Sequence, residues 1–366
     1  MIVSFPCPSA PYPVGGVTAL YEFANGLARR GHRIHLIHGE FFNQRISSLD
    51  DLAWFRFEDD VVHHLVDARG EPVSGPPLPE ADIIMGTGAP RELGLPVLLV
   101  QGFEMLEPSI EQAAFRTPSL RVCIASWLTD VGRYFGVPSE QMCTVHMGID
   151  HDRFRPTTAL DEREPIVAML HNPHPAKGWK TARAAVESAR SVRPDLRAIV
   201  FGTTAPPGPV PDWMEVVVDP DPEELVRSVY GRARVFVQAS RFEGFGFTAV
   251  EAMACGATLL TTDNGGSRDY AFDDATAVVV ESESVMSVAD ALVDLLADDS
   301  RRLRLGRAGE RFVRRFDWDA GSADLERWLE VYRADPDRFL APPGPIADLR
   351  GVDPGDLARQ VLAASR

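Results

Sequence analysis

Lysine is nearly absent from this chain. Of the 37 basic residues among 366, only Lys177 and Lys180 are lysines, and both lie in the run HNPHPAKGWK. The 53 acidic residues leave a formal net charge of −16. Nucleic-acid binding and docking on an anionic membrane both depend on clustered basic residues. The charge balance therefore argues against both kinds of partner, and it makes the position of the two lysines informative.

Cysteine and long apolar runs are also scarce. Four cysteines (Cys7, Cys123, Cys143 and Cys255) are scattered without a CxxC pair, which predicts a reducing compartment with neither disulfides nor a zinc site. No stretch approaches the roughly 18 consecutive apolar residues of a membrane span. The N-terminal residues lack the charged region and long apolar core of a signal peptide. We therefore predict a cytoplasmic protein without an integral membrane segment.

Short apolar strands alternate with amphipathic helices in two successive blocks. The first block opens with IVSF at residues 2–5 and a helix from Val17 to Arg30, and it continues through RIHLIH, ADIIMG, PVLLV and RVCIA. The second block restarts with IVAML and continues through RAIVFG, EVVV, RVFVQA and ATLLTT. Continuous apolar runs of this length are typical of strands buried on both faces of a parallel sheet. The alternation predicts two doubly wound α/β domains.

The predicted domain boundaries follow from a change in composition between the blocks. Residues 151–164 are polar and are followed by Pro165, which is typical of a linker. We therefore predict one domain over residues 1–155, a second over 156–330 and a tail over 331–366. The tail ends in a helix-like run, GVDPGDLARQVLAASR, which we expect to pack on the body of the protein.

The most informative stretch is SRFEGFGFTAVEAMACG, which begins at Ser240. Glu243 and Glu251 are eight residues apart, and the glycines between them predict a loop that lets backbone approach a ligand. Thr248 followed by Glu251 has the spacing of a capping box, so a helix is predicted over 249–255. Glu243 would stand in the loop before that helix, whose N-terminus suits a diphosphate. The alternative is a capped helix preceded by a solvated loop acid.

This stretch resembles the EX7E signature of family 4 glycosyltransferases, which are retaining enzymes with the two-domain GT-B fold. The similarity extends to FVQASRFEGFG, TTDNGGSRD, CTVHMGIDHDRFRP and VGGVTALYEFANGLARRGHRIHLI, and it covers about residues 12–330. The resemblance implies two Rossmann-like domains that face each other across a cleft. It places a nucleotide-sugar donor in the C-terminal domain and an acceptor mostly in the N-terminal one.

The resemblance also implies roles for individual donor-side residues. Glu251 would bind the ribose hydroxyls of the donor, and Glu243 would contact the transferred sugar near its 3- and 4-hydroxyls. Lys177 matches the family's phosphate lysine and would act as a point charge against the leaving diphosphate. Its alternative is a solvated loop cation. The backbone N–H groups facing the phosphates would be those of Gly246, Phe247 and Thr248.

The sequence departs from the family pattern at the residues before Lys177. The family usually has an arginine five or six positions earlier, where this chain has Asn172 and His171. His171 or His174, if protonated, would replace part of that charge, and otherwise the diphosphate is held with one cation fewer. An exposed loop histidine without a role is the alternative for each.

On the N-terminal side, the resemblance points to a glycine pair and to the loop after PVLLV. Gly15 and Gly16 would let this domain approach the phosphate, and an ordinary turn is the alternative. The family often has a histidine near the reacting centre after this strand, where this chain has Gln101, Gly102, Phe103 and Glu104. We nominate Gln101 and Glu104 as rim residues of the active site. Glu104 would contact the acceptor hydroxyl or, alternatively, is a plain loop acid.

Other motifs do not support a different chemistry. The sequence GTG at 86–88 is too short for a dinucleotide fingerprint, and the histidines of RIHLIH and of His63–His64 lack acidic or cysteine companions at metal-ligand spacing. We therefore predict no cofactor and no required metal. The predicted activity is retaining transfer of a hexose or deoxyhexose to a small-molecule or glycan acceptor, in natural-product or cell-surface glycan biosynthesis. A GT-B nucleotide-sugar epimerase or hydrolase, and a non-catalytic sugar-nucleotide binding protein, are the alternatives.

Overall fold

The computed structural model describes residues 1–39, 46–67, 70, 72–74, 76–86, 93–103, 108–341, 344 and 352–365. The chain divides into two compact units. Unit 1 comprises Met1–Gly148 and Trp318–Arg366, and unit 2 comprises Ile149–Asp317.

The sheet of unit 1 has eight strands in the order β4-β3-β2-β1-β5-β6-β7-β8. Neighbouring strands are parallel except β3 and β4, which pair antiparallel. The chain moves outwards from β1 to β4 and then returns to the other side of β1, so the strand order reverses between β1 and β5. The strands are β1 Ile2–Pro8, β2 Arg33–Gly39, β3 Val62–Val66, β4 Pro72–Ser74, β5 Ile83–Gly86, β6 Leu95–Val100, β7 Leu120–Cys123 and β8 Met142–Thr144.

The sheet of unit 2 has six strands, all parallel, in the order β11-β10-β9-β12-β13-β14. Here the order reverses between β9 and β12, the two central strands. Both sheets thus have the doubly wound architecture that the alternation of strands and helices predicts, and that prediction is confirmed. The strands are β9 Ile166–Leu170, β10 Arg197–Gly202, β11 Met214–Val218, β12 Val235–Gln238, β13 Thr258–Thr262 and β14 Val278–Val280.

Helices cover the sheets and present apolar faces to them, as in α1, where Leu20, Phe23, Ala24 and Leu27 are fully buried. Single turns of 3₁₀-helix cover Leu49–Leu52, Ser139–Gln141, Pro175–Lys177 and Gly266–Asp269. A π-helix over Leu225–Tyr230 continues α5. The α-helices are α1 Gly15–Arg29, α2 Pro108–Arg116, α3 Ser126–Tyr134, α4 Trp179–Val192, α5 Pro222–Glu224, α6 Phe247–Ala254, α7 Val285–Ala297, α8 Asp299–Val313, α9 Trp318–Ala334, α10 Asp337–Leu340 and α11 Pro354–Ala364.

The units differ from the predicted domains in the placement of residues 149–155, which lie in unit 2, and of residues 318–330, which lie in unit 1. The second difference is the larger one. The reason is the apolar face of α9, which packs against α1. Trp318 meets Phe23 edge-on with the ring centroids 5.4 Å apart, and the buried Tyr332 hydroxyl donates to the Pro96 carbonyl at 3.1 Å. The helical periodicity of α9 is local information, whereas the surface that it covers is decided by tertiary packing.

The predicted linker contains a residue with a structural function. Arg163 is 2% exposed. Its guanidinium donates to the carbonyls of Tyr230 at 3.1 Å, Ala233 at 2.8 Å and Cys255 at 2.6 Å. It therefore joins the end of the π-helix to the end of α6. Composition alone marks this segment as polar and gives no sign of a buried arginine within it.

Four histidines form a ladder between β2 and β3 of unit 1. His35 and His64 share a hydrogen bond of 2.9 Å, and so do His38 and His63, with both pairs of rings stacked. Burial and the neighbouring histidines lower the pKa of His35 and His63, and they lower the pKa of His38 to about 3. His35, His38 and His63 are therefore neutral near pH 7.

Candidate functional site

The loops that leave β9 and β12 meet where the strand order of unit 2 reverses. Loops that follow the two central strands of such a sheet run to opposite faces, which leaves a crevice at their carboxyl ends. Lys177 lies in the 3₁₀ turn after β9, and Glu243 lies in the loop after β12. Two residues that are 66 positions apart in sequence are thereby brought to the same crevice.

Lys177 and Glu243 form an ion pair. The Lys177 Nζ donates to Glu243 Oε2 at 2.6 Å, and the Ser240 hydroxyl donates to Glu243 Oε1 at 2.8 Å. The Lys177 side chain is 32% exposed, whereas that of Glu243 is only 7% exposed. Thr248 joins Lys177 and Ser240 in lining a small cavity beside this pair. Glu243 is therefore not a solvated loop acid, and Lys177 is not an unattached surface cation.

The two loops are held together by backbone contacts. The Arg241 N–H donates to the Ala176 carbonyl at 2.7 Å. Gly178 has a left-handed φ of 64°, and a Cβ there would lie 1.8 Å from the Ala239 carbonyl oxygen. Only glycine tolerates both the conformation and the contact. The KG dipeptide thus combines the cation with the glycine that lets its loop approach the loop of Glu243.

A third loop, after β13, completes the support of Glu243. The Glu243 N–H donates to the Asn264 carbonyl at 2.9 Å, and its carbonyl accepts from the Gly266 N–H at 3.2 Å. A Cβ on Gly266 would lie 2.6 Å from the Phe245 carbonyl oxygen, so this position also requires glycine. The sequence TTDNGG therefore packs against the glycine-rich loop, and the backbone of Glu243 is fixed on both sides.

The capping box predicted for the next helix is wrong. The N-cap of α6 is Gly246, with φ 98° and ψ 57°, and no side chain caps the helix. Thr248 is already inside the first turn. A Cβ on Gly246 would lie 2.4 Å from the Tyr270 hydroxyl, which explains why glycine occupies the cap. The helix begins after a glycine in the left-handed conformation, and the Thr-x-x-Glu pattern therefore does not form the cap.

Glu251 is consequently not a capping residue. Its Oε2 accepts a hydrogen bond of 2.9 Å from the Tyr230 hydroxyl. Burial raises the pKa of Glu251 to about 7, and the hydrogen bond from Tyr230 partly opposes that shift. A carboxyl group that is expensive to ionise and plays no part in capping is a candidate for ligand binding.

The residues before Lys177 are arranged by local hydrogen bonds. His171 is 5% exposed, and its Nδ1 lies 2.9 Å from the Thr204 carbonyl oxygen. The Asn172 Oδ1 accepts from the His174 N–H at 2.9 Å. His174 Nδ1 accepts from the Ala176 N–H at 3.3 Å. In this arrangement His174 helps to form the turn that carries Lys177.

In unit 1 the structure brings two of the predicted residues together. Gly15 and Gly16 are the first residues of α1, and the Gln101 Nε2 donates to the Gly16 carbonyl at 3.1 Å. A Cβ on Gly16 would lie 2.3 Å from the Gln101 side-chain oxygen. Glu104 lies outside the described residues. The carboxyl end of this sheet therefore holds a carboxamide against a glycine.

The described residues contain neither a metal-ligand cluster nor a membrane-spanning helix. Among the described residues, no group of three or more His, Cys, Asp or Glu side chains could hold a metal ion. Within the same ranges, no helix has the length and apolar character needed to cross a membrane. All four cysteines are buried and free, and burial raises the pKa of Cys255 to about 12.

Comparison with known proteins matches residues 150–312 to the family described as glycosyl transferases group 1. Over these residues the chain is similar to that family. The matched segment nearly coincides with unit 2 and contains both loops of the crevice. The family resemblance stated from the motif string is thereby confirmed.

Relatives among curated proteins extend the match in sequence. A D-inositol 3-phosphate glycosyltransferase from Xylanimonas cellulosilytica is 28% identical over 61% of this chain and 58% of its own length. A protein of the same name from Segniliparus rotundus is 27% identical over 55% of this chain and 49% of its own length. The chain therefore spans about half the length of the curated relatives that it matches.

Solved structures show that the fold is GT-B. Sucrose-phosphate synthase from Thermosynechococcus elongatus has a TM-score of 0.70 at 17% identity, over 91% of this chain and 99% of that one. The Anabaena protein HepE, solved with UDP and glucose, has a TM-score of 0.66 at 12% identity, over 90% and 99% of the two chains. At these identities the likeness concerns the fold alone.

Two polar residues of the crevice escape prediction from sequence. Ser240 is three residues before Glu243 in the motif string, but only the structure directs its hydroxyl to the carboxylate. Tyr230 lies in the run PEELVRSVYG, and its distance of 21 positions from Glu251 gives no signal. A buried tyrosine hydroxyl needs a partner, and that requirement is the one general clue that the sequence offers.

Proposed function

We propose that this protein is a retaining glycosyltransferase that moves a hexose or deoxyhexose from a nucleotide diphosphate-sugar to an acceptor hydroxyl. The observation that supports this most directly is the Lys177–Glu243 ion pair at the strand-order reversal of a unit matching glycosyl transferases group 1. Natural-product or cell-surface glycan biosynthesis is the proposed setting. The donor is proposed to bind to unit 2.

Lys177 is proposed to stabilise the leaving diphosphate. Its ammonium group is a compact point charge, and the partial exposure of the side chain allows it to reach a ligand while it remains paired with Glu243. Charge that develops on a departing phosphate oxygen is stabilised most by a cation already in place. His171 and Asn172 precede it in the same loop and are proposed to face the phosphates.

Glu243 is proposed to hold the transferred sugar through its hydroxyls. Both carboxylate oxygens already have donors, Lys177 Nζ on one and the Ser240 hydroxyl on the other. Each oxygen has further lone pairs for sugar hydroxyls, so the group can accept hydrogen bonds without moving. A carboxylate restrained in this way suits orientation of the sugar better than covalent attack on it.

The nucleotide is proposed to extend from the sugar towards α6. Glu251 would accept hydrogen bonds from the ribose hydroxyls, and the backbone N–H groups of Gly246, Phe247 and Thr248 would face the diphosphate at the positive end of the helix. Glu251 lies one α-helical turn beyond Thr248. The ribose is therefore proposed to bind further along α6 than the phosphates.

In the proposed reaction the acceptor hydroxyl attacks the anomeric carbon on the face that the diphosphate leaves. The bond between that carbon and the phosphate oxygen breaks, and the bond to the acceptor oxygen forms. The acceptor's proton passes to the departing phosphate oxygen, which leaves a nucleoside diphosphate. Retention of configuration is carried over from the family.

The acceptor is proposed to be bound mainly by unit 1. Gln101 lies at the carboxyl end of its sheet, and Glu104 follows in the same chain segment. The relatives named D-inositol 3-phosphate glycosyltransferase make that inositol phosphate one acceptor to test. Small-molecule scaffolds and glycans are the other acceptor classes.

The test is incubation of the purified chain with labelled UDP-, GDP- and dTDP-sugars, with and without acceptors, followed by analysis of nucleotide and sugar products. We expect release of nucleoside diphosphate together with transfer of the label to an acceptor. Release without transfer would indicate a hydrolase, interconversion of the donor an epimerase, and binding without turnover a sugar-nucleotide binding protein. Lys180→Ala is the matched control for Lys177→Ala, since it removes the chain's other lysine.

A further inference from the structure

A buried tyrosine hydroxyl lies behind the carboxyl group of Glu251. Tyr230 is fully buried, and its ring is surrounded by Phe201 and Phe236 with centroids at 5.6 Å and 5.7 Å and by Phe154 at 6.4 Å. Its hydroxyl donates to Glu251 Oε2 at 2.9 Å. The aromatic wall fixes the ring, so the hydroxyl has one direction in which to donate.

The helix that presents Tyr230 has an unusual winding. Residues Leu225–Tyr230 form a π-helix, closed by a bond of 2.8 Å from the Gly231 N–H to the Val226 carbonyl. One extra residue in a turn rotates the residues after it by roughly 100° relative to an α-helix. Such turns are rare and occur mostly at functional sites. Here the insertion brings the Tyr230 ring round to the side of the helix that meets Glu251.

The backbone segments that carry Tyr230 and Glu251 both accept hydrogen bonds from the guanidinium group of Arg163. Arg163 donates through Nη1 to the Tyr230 carbonyl at 3.1 Å and through Nη2 to the Cys255 carbonyl at 2.6 Å. Cys255 is the residue directly after α6, the helix that carries Glu251. The distance between the Tyr230 hydroxyl and Glu251 is therefore determined by a buried framework and not by two independent loops.

We propose that Tyr230 is a positioning residue for nucleotide binding: it occupies one oxygen of Glu251, directs the other towards the ribose and favours the ionised carboxylate. This inference rests on the proposed function of Glu251. Burial alone raises the pKa of that carboxyl, and the Tyr230 hydroxyl acts in the opposite direction. The thiol of Cys255 also faces this pair and stays protonated because burial raises its pKa, while Arg163 donates to the backbone carbonyls of Tyr230 and Cys255.

The test compares Tyr230→Phe with wild type by calorimetric titration of UDP, GDP and dTDP between pH 5.5 and 8.5. Wild-type affinity should decrease as the pH falls through about 7, where Glu251 takes up a proton. In Tyr230→Phe we expect roughly three- to tenfold weaker binding at pH 7, the size of one lost hydrogen bond. The midpoint of the profile should also move to higher pH. Superimposable profiles for the two proteins would overturn the inference.

Tyr332→Phe is the matched control. It also removes a buried tyrosine hydroxyl, one that donates to the Pro96 carbonyl in unit 1. A general loss of stability from deleting a buried hydroxyl would affect both variants, whereas a shifted binding profile is expected for Tyr230→Phe alone. An equal shift in both variants would contradict the positioning role.

A readout without ligand separates this inference from the proposed function. Carbon-13 NMR of labelled glutamate gives the titration midpoint of Glu251, identified by the signal that Glu251→Gln lacks. We expect a higher midpoint in Tyr230→Phe. A higher midpoint in a protein that binds none of the three nucleotides would refute the proposed function and leave the effect of Tyr230 on the carboxyl established. An unchanged midpoint would refute the inference itself.

Discussion

The two sheets of this protein have the same doubly wound topology, but different side chains lie at the carboxyl ends of their central strands. In both, parallel strands run outwards, return and reverse order beside the first strand of the unit. At the carboxyl end of the first sheet lies a neutral contact between Gln101 and Gly16. At that of the second lie an ammonium group and two carboxyl groups, those of Lys177, Glu243 and Glu251.

The buried polar groups follow the same division. Unit 1 holds four histidines in a ladder between two strands, where they hydrogen-bond each other, and burial keeps His35, His38 and His63 neutral. Unit 2 keeps Glu243 beside a cation and Glu251 beside a tyrosine hydroxyl. Doubly wound topology supplies a crevice in both units, and the few charged residues at its edge decide which crevice suits a diphosphate.

The largest effect is expected from Lys177→Ala. The change removes the cation proposed to stabilise the leaving diphosphate, and kcat/KM should fall by about 10²-fold or more. Steady-state kinetics with the donor identified by the product assay is the measurement. Lys180 is exposed and three positions further along, so Lys180→Ala should retain wild-type turnover. Activity of Lys177→Ala within threefold of wild type would remove this residue from the mechanism.

Glu251→Ala should come next and should act on nucleotide affinity. A charged hydrogen bond to the ribose contributes about 1.5–3 kcal/mol, so binding of the nucleoside diphosphate should weaken roughly ten- to hundredfold. Calorimetric titration measures this directly. Unchanged affinity would mean that Glu251 has only a structural function.

Glu251→Gln tests the buried carboxyl group of unit 2 through the pH dependence of the free energy of unfolding. Burial raises the Glu251 pKa from 4.5 to about 7, so between these pH values the folded chain holds a proton that the unfolded chain has released. The free energy of unfolding therefore decreases as the pH rises through this window. The glutamine variant should be more stable than wild type at pH 8 by roughly 1–3 kcal/mol, with the gain absent at pH 4.5. Urea unfolding at both pH values measures it, and a loss at pH 8 would contradict it.

His38→Gln tests whether burial keeps the imidazole of His38 in unit 1 neutral. Because the pKa of His38 is lowered from 6.5 to about 3, the unfolded chain binds a proton below pH 6.5 that the folded chain does not. Wild-type stability should therefore fall with pH below 6.5. One such histidine contributes a slope of about 1.4 kcal/mol per pH unit. The variant should lose that part of the slope in urea unfolding between pH 4.5 and 6, and parallel slopes would contradict the assignment.

Gly16→Ala should have the smallest effect. The new Cβ would meet the end of the Gln101 side chain, which is flexible and can move aside. We expect a loss of stability of about 1 kcal/mol or less and a modest fall in turnover. The double variant Gly16→Ala/Gln101→Ala removes the clash and should recover the stability. If turnover stays normal in both variants, this contact has no part in the reaction.

The sequence alone determined the hydrophobic periodicity and the order of the helices and strands. These two features were enough to predict the two α/β units. Short continuous apolar runs are typical of buried parallel strands, and helical spacing marks α1 without tertiary information. The string around Glu243 and Glu251 was specific enough to indicate the family. The scarcity of lysine made Lys177 a visible candidate.

Tertiary packing determined which of those elements contact each other. Strand order cannot be read from periodicity, because a parallel strand joins its sheet through a crossover that leaves several neighbours open. The meeting of Lys177 with Glu243 depends on that order, as does the packing of α9 on α1. The start of α6 was misjudged because Gly246 can adopt a left-handed conformation that overrides a capping pattern. The bond from Tyr230 to Glu251 depends on a π-turn, and no local propensity encodes that winding; only the packing of side chains around Arg163 and the aromatic wall selects it.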